Sequence, residues 1–173
     1  MNLKEVGINS DRVRQMTKEE MADATHVDND EEVEAIFAEK AAKYAATYDK
    51  LLLKHANLSR MRLCKLDDQI YTHFREEFPD ISVDKMEVEQ WKEPKKKWHD
   101  FMMLYHEGEF KLANFSMGTL FRPDASRRVE VDNCEIMPRV QFYAFEIARN
   151  REGINDQYKE SWAEQLPPSW ARE

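Results

Sequence analysis

Paired carboxylates are the first place to look for chemistry, and this chain has one adjacent pair in a suggestive setting, Asp67-Asp68. A general acid/base dyad needs both carboxyl groups to face one site. Neighbouring helical residues point about 100° apart, so the pair is better placed to stabilise the positive first turn of a helix. The histidines at 26, 55, 73, 99 and 106 include no HExxH pair, and Cys64 and Cys134 have no CxxC or CxxH spacing. Zinc ligation uses such short spacings, so no metal is expected. No GxSxG elbow exists and neither thiol has a recognisable partner pattern, so no catalytic residue is assigned. The glycines at 7, 108, 118 and 153 cannot be assembled into GxGxxG or GxxxxGK[ST], and no cofactor is expected.

The basic clusters say more. Lys95, Lys96 and Lys97 follow Pro94 in the first turn of a helix, where the dipole disfavours cations. Charge placed against its local preference marks a candidate patch for an anionic partner, to which Arg127 and Arg128 in a turn could add. Arg149 and Arg151 stand in the last turn of their helix, where cations are favoured, and could pair with carboxylates of the first helix.

The elements that must position these groups are mostly helical. Residues 28–32 (DNDEE) supply cap and first-turn carboxylates. Val33, Ile36, Phe37, Tyr44, Tyr48, Leu51 and Leu52 then recur at spacings of three and four, which predicts a long amphipathic helix to about residue 56. A second helix carries Leu66, Ile70, Phe74 and Phe78 and stops at Pro79. A third begins with Met86, Val88 and Trp91, restarts at Pro94, and continues through Trp98, Phe101 and Tyr105 to Gly108. Residues 118–122, 123–126 and 129–131 read as strand, turn and strand. Pro138 opens a final helix over 139–151, apolar on nearly every side and closed by Gly153. The expected fold is α+β and predominantly helical, about five helices around one core with a small β-hairpin near residues 118–136. The expected organisation is an acidic N-terminal arm over 1–27, a globular domain over 28–156 and a C-terminal extension over 157–173.

With 26 basic against 34 acidic residues the net charge is −8. Bulk attraction to nucleic acid or an anionic membrane is therefore not expected, and neither is direct DNA binding. Residues 19–34 hold eight acids and no Lys or Arg. No apolar run is long enough to span a bilayer and no signal peptide is visible, so the expected compartment is the cytoplasm, or the nucleus as well.

Three stretches carry a resemblance. They are residues 66–71 (LDDQIY) with Phe74-Arg75, residues 114–124 (NFSMGTLFRPD), and residues 138–153 (PRVQFYAFEIARNREG). In this order, with Lys97-Trp98 and Phe101 between the first two, they resemble the eukaryotic polysaccharide-biosynthesis-domain-containing protein family over about residues 29–156. The family name reflects a distant similarity to plant xylan methyltransferases, but this chain has no glycine-rich strand–loop for a methyl donor. The short cytosolic members resemble it better. That resemblance implies a non-enzymatic, ribosome-associated, ATP-independent chaperone, expected as a monomer, for the GTP-binding domain of newly made translation elongation factor 1-alpha. The alternatives are an RNA or ribosome-surface adaptor and a methyltransferase-related protein. The partner-binding residues expected on this basis are Asp67, Asp68, Tyr71, Thr119, Arg122, Arg139, Arg149, Asn150 and Arg151.

Overall fold

The computed structural model describes residues 30–172, with side chains from residue 33. The acidic arm and the residues expected to cap the first helix at 28 and 29 lie outside the described residues. Helix α1 runs Asp30–Lys54 and buries Ala38, Ala41, Ala45, Tyr48 and Leu52 along one stripe. A 3-10 turn at Leu58–Arg60 leads to α2, Asp67–Glu77, which buries Ile70 and Phe74 and ends before Pro79. The expected break then separates α3, Val88–Lys92, from α4, Lys95–Met103. Strands β1, Gly118–Phe121, and β2, Glu135–Pro138, pair antiparallel with Leu120 opposite Ile136. Helix α5, Arg139–Arg151, follows at once, and α6, Ile154–Glu164, completes six helices among the described residues. Gly153, at φ +79°, makes the turn between the last two helices, a backbone region that favours glycine.

Helix α5 is the axis of the fold. Every residue from Val140 to Asn150 is buried. Phe145 meets Phe74 and Trp98 edge-on at 5.5 and 5.4 Å, and Trp98 stacks on Phe78 at 3.9 Å. Each aromatic pair adds roughly 0.5–1.5 kcal/mol beyond its buried area. A second cluster packs the alanines of α1 against Leu120, Val129 and Ile136. Small side chains there let the sheet approach the helix closely. Trp162 on α6 is 1% exposed, which carries the core beyond residue 156 into the expected extension.

The second strand lies later than the sequence pattern indicates. Residues 129–131 form no strand; Val129 fills the core from a loop and Val131 is exposed. The reason is Asn133, whose amide donates to the carbonyls of Asp124, Arg127 and Arg128. These bonds fold the connection into a compact loop and delay the returning strand to residue 135.

Candidate functional site

Two charged residues lie within the fully buried length of the apolar helix α5. Glu146 and Arg149, one turn apart, are both fully buried and paired at 2.8 Å. The Glu146 carboxylate also accepts from the Tyr48 hydroxyl at 2.8 Å, the Asn155 amide at 3.0 Å and Arg122 at 3.4 Å. Arg122 donates to Asn155 at 2.8 Å and lies 4.6 Å over the Trp162 ring. Arg149 donates to the carbonyls of Val83, Arg122 and Pro123 at 2.6, 2.6 and 2.8 Å, clamping two loops to the helix. Burial alone would raise the Glu146 carboxyl, but Arg122 and Arg149 outweigh it and hold it at about 2. Burial pulls the Arg149 guanidinium down to about 10, still cationic at neutral pH. The Tyr48 hydroxyl is pushed well up by burial and by Glu146.

A second buried pair, Asp49–Arg128, ties α1 to the 122–134 loop, and Arg128 donates onward to the Gln165 carbonyl at 3.0 Å. The cavity between the two pairs measures about 10 Å³, too small for a substrate. This hub is satisfied on nearly all sides by its own chain, so its chemistry is structural. The thiols are equally unready: burial pushes Cys64 up to about 11 and Cys134 up to about 12, far from a thiolate at neutral pH. Among the described residues no group of three or more His, Cys, Asp or Glu is arranged to hold a metal.

The residues expected to form one face divide into two sets. Thr119, Arg122, Arg149 and Asn150 are buried in or beside the hub, and Asp67 is buried while accepting from the backbone N–H of Leu63 and Cys64. They support a surface and do not form it. Arg149 pairs within its own helix, not with α1 as its position suggested. The other set, exposed at Asp68 and half-buried at Tyr71, Arg139 and Arg151, is linked. Asp68 lies between Arg62 at 2.9 Å and Arg151 at 2.6 Å, and hydrogen bonds from Arg151 and Arg62 hold its carboxyl below the usual range. Arg151 lies 5.1 Å from the Tyr71 ring centroid, and the Tyr71 hydroxyl donates to Glu152. Arg139 donates to Thr119 at 3.2 Å and lies 4.2 Å over Tyr44. Arg62 and Tyr44 both border a cleft of about 340 Å³ between α1 and residues 60–63.

The expected basic patch is reduced. Lys96 pairs with Asp100, Lys97 lies 4.8 Å over the Phe78 ring, and Arg127 pairs with Asp132. Arg128 is buried against Asp49 and is no part of a solvent patch, because the loop turns its guanidinium inward. Sequence reasoning missed Glu146, Asn155 and Asp49. A glutamate inside the run FYAFEIA was the signal for the first, since a charge on an all-apolar helix must find buried partners.

Fold and site define a helical α+β domain built around a buried ion-pair hub, with its exposed charged chemistry beside an open cleft. The chain belongs to the PBDC1 protein family, whose model matches residues 33–160. It is 41% identical to the PBDC1 homolog of Saccharomyces cerevisiae over 139 residues, covering 77% of this chain and 92% of that one. It is 39% identical to Protein PBDC1 of Mus musculus, covering 73% of this chain and 63% of the mouse protein. The solution structure of protein yst0336 from Saccharomyces cerevisiae has the same fold, with a TM-score of 0.67 and 40% identity over 80% of this chain and 96% of that one.

Proposed function

We propose that this protein belongs to a short cytosolic branch of its family and acts by surface contact, as a ribosome-associated, ATP-independent chaperone. Its client is the GTP-binding domain of newly made translation elongation factor 1-alpha. The observation that carries this reading is the family match over residues 33–160, which spans all three blocks from which the client was inferred. Two features support it. The buried charges are spent on holding a rigid scaffold, and the Asp68–Arg151–Tyr71 group, partly open to solvent, adjoins through Arg62 a cleft open to a partner.

The test is size-exclusion chromatography of the purified protein with the nucleotide-free GTP-binding domain of elongation factor 1-alpha, repeated with GTP. The reading expects a complex without nucleotide that dissolves with GTP; no complex under either condition overturns it. A ribosome-adaptor role is supported by the exposure of Lys95, which has no ion pair among the described residues. Unchanged ribosome co-sedimentation after Lys95, Lys96 and Lys97 are all neutralised would remove this patch from consideration.

A further inference from the structure

From residue 40 to residue 65 the chain carries seven Lys or Arg and one acid, Asp49, although the whole chain is net −8. Asp49 is buried against Arg128 and offers no charge to solvent. All seven cations are exposed. Among the described residues only Arg62 of the seven is ion-paired, through Asp68.

The cleft of about 340 Å³ lies inside this stretch. One wall is α1 from Tyr44 past Leu51, with His55 just beyond its end, and the other is the run Arg60, Met61, Arg62 and Leu63. Leu51 is 49% exposed there. No carboxylate is among the lining residues. An apolar floor under a cationic rim is a specific combination, and the rest of the chain carries more acids than bases.

We propose that this cleft is a docking groove for an extended acidic peptide segment. One apolar side chain of the segment rests on Leu51 and Met61, and its carboxylates face Arg60, Arg62 and the lysines of α1. The dimensions agree. Tyr44 to His55 spans about 17 Å of helix, which about five extended residues cover. Met61 and Leu51 accept apolar side chains of varied shape, while the rim supplies long-range attraction and the sign of the charge. Single-stranded RNA is a poorer fit, because base stacking needs open aromatic faces. Tyr44 is half-buried and already covered by Arg139, and the Tyr48 hydroxyl is committed to Glu146. The inference does not depend on the identity of the client.

Fluorescence anisotropy tests it on the full chain, with a short fluorescein-labelled peptide in which Asp and Glu flank a central Leu-Phe pair. Saturable binding is expected. It should weaken at least roughly tenfold when the acids are replaced by Asn and Gln, and equally in an Arg60→Glu, Arg62→Glu double variant. Leu51→Ser should weaken it severalfold while leaving the salt dependence intact. Should the double variant fail to fold by circular dichroism, Lys50→Glu with Lys54→Glu gives the same reading. Absence of saturable binding, or binding indifferent to these substitutions, overturns the proposal. So does poly(U) RNA binding the same residues more tightly than the peptide.

Discussion

Glu146 and Asp68 each stand between two arginines, Arg122 with Arg149 for the first and Arg62 with Arg151 for the second. Their surroundings differ completely. The Glu146 side chain is 0% exposed and the Asp68 side chain 59%. In the interior an unpaired charge has no water to turn to, so the pairing is obligatory and fixes the positions of α1, α5, α6 and two loops. At the surface the same pairing is nearly neutral in energy, and water can take the place of either partner. An ion pair of that kind can open and form again around a different molecule. One chemical device thus holds the scaffold inside and leaves an adaptable edge outside.

The largest expected effect is from Glu146→Ala, which leaves Arg122 and Arg149 buried without a counter-charge. Urea unfolding should show a loss of about 3–5 kcal/mol. A loss below about 1 kcal/mol would erase the distinction between hub and surface. Acid should act through the same carboxylate. Its folded value, about 2, lies below the ordinary glutamate value of 4.5. The unfolded chain therefore binds the proton first, and the contribution of Glu146 is complete above pH 4.5 and lost as pH falls toward about 2. Thermal melts across that window should fall less steeply for Glu146→Gln than for the parent; identical slopes would show that the hub does not titrate. The smallest effect is expected from Asp68→Ala, whose urea unfolding midpoint should stay close to the parent's. A larger loss would place Asp68 with the interior set, and the comparison would have to be redrawn.

The helices were legible because their signals are local. Residues 139–151 carry Pro before, Gly after and apolar side chains all round, and the observed helix has the bounds that pattern predicts. The second strand was not, since Val129 and Val131 look like a strand while the bonds that displace it come from Asn133, a residue whose reach no periodicity reveals. Arg149 was misplaced for a related reason. A cation in a last turn satisfies the helix dipole wherever it points, and only packing shows that the turn is interior. The partners of Glu146 lie far along the chain, at Tyr48 and Arg122, so its environment is a tertiary fact. The basic stretch over 40–65 escaped for the opposite reason. Its cations are scattered one or two at a time through α1 and the turn, with no cluster to catch the eye, and they emerge only when charge is counted over the whole window.

The hub has a consequence for the order of events during synthesis. Tyr48 and Glu146 are 98 residues apart, Asp49 and Arg128 79, and His55 and Lys159 104. Contacts this distant in the chain make folding slow, because a long loop must close before any of them forms. A growing chain that has only reached β1 would carry α1 with its alanine and tyrosine stripe bare and Asp49 without Arg128. The hub closes only after Asn155 has left the exit tunnel. Until then the growing chain is itself an exposed folding intermediate.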